Sequence, residues 1–271
     1  MPSMVIDEGS RSEWRLLDLS YESAFKNLAL EEALACTKHP DTFLSTVRFW
    51  TNDLAAVLGR FQEASSELDL ALCESRRVQV ARRFTGGGAV FHDKGTLNVT
   101  IVTQPTPGLS VNELHQTYSQ LIINALADLG LHCSFVPPNS ILLDGKKVCG
   151  AAASLGSNYG LWHVSILVST DIGLLEEVLT PSKTDVPTRF VRSQWKPVTS
   201  LRTALDGKVG LEEVRACLIE SLEKGSKARL VSGKLSDGEE NSLGALLSKY
   251  SSTQWNLHGN RCRTESKESV E

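Results

Sequence analysis

A chain of 271 residues, 41% hydrophobic and 22% charged, carries enough apolar material for one large α/β domain, or one domain with a small appendage, around a sizeable core. A formal net charge of −4 supplies no electrostatic footprint for DNA or RNA. No apolar run approaches the roughly 18 residues of a membrane span, and the residues through Arg11 are polar and acidic where a targeting segment carries a basic head and an apolar stretch, so the expected setting is the cytoplasm.

Trp14–Leu19 is short and apolar-rich, as a strand is, and Glu22–Cys36 places Phe25, Leu28, Ala29 and Ala33 at helical spacing. Val47–Trp50 and Ala55–Leu58 read as strands around a Thr51-Asn52-Asp53 turn, followed by a helix over Leu68–Arg76. Val78–Arg82, Ala89–Phe91 and Leu97–Thr103 are β-rich, so Gly86-Gly87-Gly88 falls between strands. After a turn with two prolines, Val111–Gly130 carries Leu114, Tyr118, Leu121, Ile122, Ala125 and Leu129 at helical spacing and stops on glycine. His132–Val136 and Ser140–Leu143 are strands around Pro137-Pro138. The hairpin pair Asp144-Gly145 then sends Lys146–Ala153 back antiparallel to Ile141–Leu143. Trp162–Ser169 is another strand, with a short helix through Leu179. Glu212–Leu222 is helical, Lys224–Asn241 reads as a mobile connector rich in Gly, Ser and charge, Leu243–Tyr250 is a last helix, and residues from His258 onward read as disordered. The class is α+β, with mixed, largely antiparallel sheets flanked by helices.

The chemistry gathers on the triple glycine. Without Cβ atoms that stretch can take positive φ and turn successive N–H groups onto an anion, while Arg82 or Arg83 adds a full charge. A nucleotide or acyl-phosphate is the natural guest, and a flexible hairpin is the plain alternative. A Rossmann loop would open a helix and a P-loop would continue Gly-Lys-Ser/Thr, and neither pattern is present. Arg82 and Arg83 alternate sides, so one is expected to face a cleft and the other to serve a surface ion pair; Lys146 and Lys147 alternate likewise. His92-Asp93 face opposite ways and are too few for a transition-metal site, which leaves structural hydrogen bonding. Cys36, Cys73, Cys133, Cys149, Cys217 and Cys262 contain no C-x-x-C pair and read as reduced thiols.

Residues 82–98, Arg-Arg-Phe-Thr-Gly-Gly-Gly-Ala-Val-Phe-His-Asp-Lys-Gly-Thr-Leu-Asn, closely resemble the signature of the lipoate-protein ligase A family. Asn27-Leu28-Ala29-Leu30-Glu31-Glu32, Arg48-Phe49-Trp50 leading into Val57-Leu58-Gly59-Arg60-Phe61-Gln62, and Asp144-Gly145-Lys146-Lys147-Val148-Cys149-Gly150 follow in the family's order, and the closing run Lys249–Asn256 resembles the end of its catalytic domain. The resemblance implies a class II-synthetase/biotin-ligase-like catalytic domain over residues 14–257, between a flexible 1–13 and a disordered 258–271. The accessory domain that many members carry is not expected here.

It also implies a reaction. Lys147 would contact carboxylate and phosphate oxygens as lipoate (or octanoate) reacts with ATP, accompanied by Mg²⁺, to give lipoyl-AMP; the acyl group would then pass to a lysine of a lipoyl carrier domain, an E2 subunit or a glycine-cleavage H protein. A fixed ammonium stabilises the charge that builds at the α-phosphate. The implied substrate- and nucleotide-binding set is Trp50, Arg60, Gln62, Arg82, Arg83, Thr85, Gly86, Gly87, Gly88, Ala89, Val90, His92, Asn98, Gly150, Ala151 and His163, with no metal ligand among them. A separate accessory subunit is a candidate partner; nucleic acid and membrane are not. Val164, Ser140 and Cys149 depart from the family's usual residues. Two other readings stand beside the ligase: an ATP-independent octanoyl or lipoyl transferase working through a cysteine thioester, at Cys133 or Cys149, and a non-catalytic binding protein, suggested by Val164 and Ser140.

Overall fold

The computed structural model describes residues 12–37, 43–104, 107–181 and 190–259; the expectations for 1–11 and for 260–271, Cys262 included, lie outside them. The described strands are β1 (Ser12–Asp18), β2 (Ser45–Trp50), β3 (Leu54–Leu58), β4 (Gln79–Arg82), β5 (Val90–Asp93), β6 (Thr96–Thr103), β7 (Cys133–Val136), β8 (Ser140–Leu143), β9 (Lys146–Leu155), β10 (Gly160–Leu167) and β11 (Ala228–Ser232). They build an eight-stranded sheet in the order β11-β1-β2-β6-β10-β9-β8-β7 and a three-stranded sheet β4-β3-β5. β1 is parallel to both its neighbours and β3 to β4, and the remaining pairs are antiparallel. The helices are α1 (Ala24–Cys36), α2 (Ala64–Glu67), α3 (Leu70–Ser75), α4 (Val111–Asp128), α5 (Ile172–Val178), α6 (Leu201–Ala204), α7 (Leu211–Ser226) and α8 (Asp237–Tyr250), followed by a wide helical turn at Gln254–His258. This is the α+β architecture expected.

Alternation along the strands sorts residues onto faces. Phe49, Val99, Trp162 and Val164 of the large sheet pack under Tyr118 and Ile122 of α4 and Leu218 and Leu222 of α7. In the small sheet Ala55 and Val57 join Leu28 and Ala29 of α1, while Ala56 and Leu58 turn to Cys73 and Leu175 on the other side. The open face of the large sheet and the small sheet with its loops therefore enclose a space between them.

Three expectations change. The helix read over Leu68–Arg76 shortens to α3, because Leu68 leaves helical geometry to bridge Leu179 and Asp69 caps α3 through a bond from Leu72 N at 2.8 Å, while the separate short helix α2 ends before it. Lys224–Asn241 is not a connector: it completes α7, forms β11 beside β1 and starts α8 with a Ser236–Glu239 capping box. Its charges are committed, since Glu239 accepts a bidentate bond from Arg15 of β1, Nη1 to Oε2 at 2.8 Å, with both side chains 2% exposed. His258, read as the start of a disordered tail, belongs to the final helical turn. Glu239→Ala leaves the Arg15 guanidinium buried and unpaired, and is expected to lower the unfolding free energy by about 3–5 kcal/mol in chemical denaturation.

The Asp144-Gly145 turn has φ of 48° and 77°, the doubly positive pair of a tight hairpin. Beyond it the β8–β9 register slips: Leu142 faces Lys147 but Ile141 faces Cys149, leaving Val148 as an extra residue. Val148 and Cys149 consequently both enter the core, and Lys147 emerges on the same side as Gly150. Strict alternation forbids that pairing, and the bulge creates it.

Candidate active site

The enclosed space is a cavity of about 260 Å³. Cross-strand register lays its floor: Ser140, Gly150, Ser165, Asn98 and Trp50 lie side by side, and one pleat further along come Ala152 and His163, whose row continues outside the lining into Thr100 and Arg48. The glycine loop forms one wall, and the segment 190–198, which bridges to Lys147 by Lys147 N to Pro197 O at 2.7 Å, forms another.

Of the expected residues, Trp50, Arg83, Gly87, Gly88, Ala89, Val90, His92, Asn98, Lys147, Gly150, Ala151 and His163 line this cavity. Arg83 does not offer a bare charge: its Nη2 donates to Gly86 O (2.6 Å) and Gly88 O (2.8 Å), which folds the loop around the guanidinium. Gly87 takes φ 88° to make that curl. Arg82 is 1% exposed and donates to the carbonyls of Gly59, Gln62, Trp255 and Leu257. The expected surface ion pair is therefore corrected: both arginines are buried and serve carbonyl groups, which tie the loop to the closing helical turn. Burial pulls each of them down to about 10.

Thr85, Gly86 and Gln62 brace the wall from behind. Gln62 accepts from Gly59 N (2.9 Å) and donates to Ser193 Oγ (3.0 Å), and the same hydroxyl accepts from Ala89 N at 2.8 Å. Arg60 does not reach the cavity; it is exposed, with its guanidinium over the Phe61 ring at 5.4 Å. His163 connects three elements, Nδ1 lying 2.7 Å from Glu31 Oε2 of α1 and Nε2 2.9 Å from Thr85 Oγ1. Burial alone would raise Glu31, but the His163 charge and hydrogen bond, Arg48 and Thr100 hold it below its ordinary value. His92 sits between Asn52 and Ser165, as structural hydrogen bonding requires, and burial next to Arg83 drives it to about 3, so it is neutral.

Lys147 is the group that stands apart. Its Nζ has no hydrogen-bond or ion-pair partner among the described residues, and it lies 2.9 Å from where a Cβ on Gly150 would be. Burial first, then Lys196 and Arg83, lowers it to about 8. Lys196, whose Nζ donates to Ser140 Oγ at 3.2 Å, adds a second ammonium to the lining. The only carboxylate lining the cavity among the described residues, Glu31, is committed to His163 and Thr100. Leu28, Val57, Val90 and Trp50 supply an apolar side. The arrangement suits an amphipathic anion: an apolar tail on one side and an oxyanion at Lys147 on the other.

No cysteine lines the cavity among the described residues. Cys133 sits on β7, where burial, with Asp144, pushes its thiol to about 11, and Cys149 is buried in the core with its thiol raised well above the usual value. Sequence reasoning did not single out Glu31, Asn52, Ser165, Ser193 or Lys196. Glu31 stands within the quoted Asn27–Glu32 run, four residues after Asn27 on the buried face of α1. The segment 190–198 has no periodicity to read.

The fold and this cavity define an α+β domain whose cavity joins an apolar side to a group of cationic side chains. The model of the lipoyl protein ligase A/B catalytic domain matches residues 23–223, and the chain belongs to that family. Lipoate-protein ligase A subunit 1 of Thermoplasma acidophilum is 30% identical over 222 residues, 78% of this chain and 84% of that protein. An octanoyltransferase LipM of Kyrpidia tusciae is 29% identical over 268 residues, 90% of this chain and 98% of the other. Among solved structures, the bipartite lipoate protein ligase studied with its E2 lipoyl domain from Thermoplasma acidophilum superposes with a TM-score of 0.79 at 28% identity, covering 91% of this chain and 96% of that one. A lipoate-protein ligase A bound with ATP matches with the same TM-score at 29% identity, over 90% and 98%. No described helix is long and apolar enough to cross a membrane.

Proposed function

We propose that this chain is a cytoplasmic ATP-dependent lipoate-protein ligase, with residues 14–257 as its catalytic unit, which forms lipoyl-AMP and transfers the lipoyl group to a lysine of a lipoyl carrier domain. The observation that carries the proposal is the Lys147 ammonium, without a protein partner among the described residues, at the cationic end of a half-apolar cavity that no described cysteine lines. In the first half-reaction a lipoate oxygen attacks the α-phosphorus of ATP and pyrophosphate leaves. Lys147 stabilises the charge gathered on the carboxylate and α-phosphate oxygens, and the Gly87–Ala89 backbone provides donors for the phosphates once Ser193 moves aside from Ala89 N. In the second, the carrier's lysine amine attacks the acyl carbon and AMP departs.

The lining residues do not make a divalent-cation site, because their one carboxylate is engaged. Mg²⁺ is accordingly assigned to the nucleotide as a counterion, and no step is routed through it. The ligase named as a subunit, and the bipartite system studied with an E2 lipoyl domain, support a carrier of that kind and an accessory subunit as partners of this chain.

The relatives named octanoyltransferase favour a second reading, acyl transfer through a cysteine. Against it, both candidate thiols are held protonated away from the cavity. Incubation with ATP, Mg²⁺, lipoic acid and an apo lipoyl domain tests the proposal by carrier mass and AMP release. Cys133→Ser is expected to keep its rate within about twofold of the unsubstituted chain, whereas a loss of about a hundredfold or more favours the thioester route.

A further inference from the structure

Beneath the floor runs a chain of hydrogen bonds with one direction. Arg48, fully buried, can only donate, and its Nη2 gives a hydrogen to Asn27 Oδ1 at 2.6 Å. That fixes the Asn27 carboxamide, whose Nδ2 donates to Asn52 Oδ1 at 2.7 Å. Asn52 must then present its Nδ2 to His92 Nδ1, at 2.9 Å. A neutral imidazole that accepts at Nδ1 carries its hydrogen on Nε2, which lies 2.8 Å from Ser165 Oγ. The hydroxyl, already accepting, passes its own hydrogen to Asn98 Oδ1 at 2.8 Å. The links from Arg48 to the Ser165 hydroxyl are each set by the one before, and with the hydroxyl's hydrogen on Asn98 Oδ1 the sequence ends at Asn98 Nδ2.

That final group has no partner among the described residues, although Asn98 is 1% exposed and lines the cavity. An unsatisfied buried donor is unfavourable, and the Ser165 hydrogen on Oδ1 holds the amide in the orientation that leaves it so. Asn98 is two strands from Gly150 in the same floor row, about 10 Å across the sheet, and Lys147 Nζ stands over Gly150. A carboxylate or phosphate with a hydrogen bond on either side spans a gap of this order.

We propose that the Arg48–Asn27–Asn52–His92–Ser165 chain locks Asn98 as a donor-only subsite, which takes an oxygen of the anionic reaction centre held on its other side by Lys147. Asn98 thereby selects ligands that present a lone pair, and His92 and Ser165 are positioning residues acting through it. The inference rests on the acyl-adenylating reading of the cavity and adds to it the group opposite the lysine, together with the reason its amide cannot turn.

The side-chain amide signal of Asn98, assigned by its disappearance in Asn98→Asp, reports the subsite by two-dimensional ¹⁵N–¹H NMR during titration of the whole chain with lipoate and separately with AMP. The expected result is a downfield shift of that pair on saturation with at least one probe. In Ser165→Ala, which frees Oδ1, the shift shrinks and KM for lipoate rises about tenfold with little change in melting temperature; Ser165→Thr, which keeps the hydroxyl, restores both. An Asn98 pair that stays still while signals of other cavity residues move overturns this inference and leaves the ligase reading standing. Loss of function of equal size in Ser165→Ala and Ser165→Thr also overturns it, because mere packing is then at stake. If neither probe moves any signal, the ligase reading and this inference fail together.

Discussion

Lys147→Ala is expected to lower carrier lipoylation at least a hundredfold at pH 7 while leaving the fold intact. Loss of one preorganised charge or donor at a developing oxyanion typically costs about 2.7–4 kcal/mol, or 10²–10³ in rate, and Lys147 lines the cavity with no protein partner among the described residues to share its charge. Stability should move the other way. A lysine lowered from 10.5 to about 8 is charged at pH 7 in an environment that resists the charge. The folded state therefore carries a penalty below pH 8, which fades as pH rises from 8 to the unfolded value near 10.5. Lys147→Met removes that penalty and should stabilise the ligand-free chain by about 1–3 kcal/mol at pH 7, with no gain left at pH 10.5. The same titration sets the pH profile. The ammonium is the form that binds an oxyanion, so kcat/KM for lipoate should be flat below pH 8 and fall about tenfold per unit above it, as one proton leaves the free protein. A profile still flat at pH 9.5 contradicts the assignment.

Gly59→Ala is expected to be the most damaging single methyl group in the wall of the site. A Cβ at Gly59 would sit 2.0 Å from the Gly87 carbonyl oxygen, a backbone atom that no rotamer can move. Gly87 already holds φ 88°, between carbonyls bound to Arg83. The loop has to lift off its arginine, so the expected outcome is about 1–3 kcal/mol of lost stability and a fall in lipoylation of a hundredfold or more. Gly88→Ala provides the comparison: its Cβ meets mainly the Ser193 side chain, with Oγ at 2.8 Å, and a segment that can shift should leave a larger share of the activity. Equal melting temperatures and rates for Gly59→Ala and the unsubstituted chain would rule out the close approach of these two glycines.

Local signals carried much of this architecture. The apolar spacing of Val111–Gly130, the Asp144-Gly145 pair and the triple glycine between β-rich runs each encode their own geometry within a few residues, and the structure bears each of them out. What could not be read depends on partners distant in sequence. β11 is a strand because β1 lies beside it, and Glu239 is buried because Arg15 needs it. The two arginines before the glycines were expected to split between cleft and surface by alternation, but the carbonyls of Trp255 and Leu257 draw Arg82 inward. Lys147 was named for its resemblance to a family lysine, whereas its orientation comes from a register slip that composition does not record. Asn98 was singled out in the same way, but the chain of bonds that fixes its amide joins β2, α1, the β2–β3 turn, β5, β10 and β6, and nothing short of the assembled fold reveals it.

The most direct test of the account compares three acyl donors in parallel with an apo lipoyl domain: lipoate with ATP, preformed lipoyl-AMP, and an octanoylated carrier. Each is run with the unsubstituted chain, with Lys147→Ala and with the double variant Cys133→Ser/Cys149→Ser. The account predicts transfer from lipoyl-AMP, and from lipoate with release of one AMP per acyl group once any accessory subunit is supplied, retained in the double variant and lost in Lys147→Ala. Transfer from the octanoylated carrier alone, without ATP and abolished by the cysteine substitutions, would contradict it.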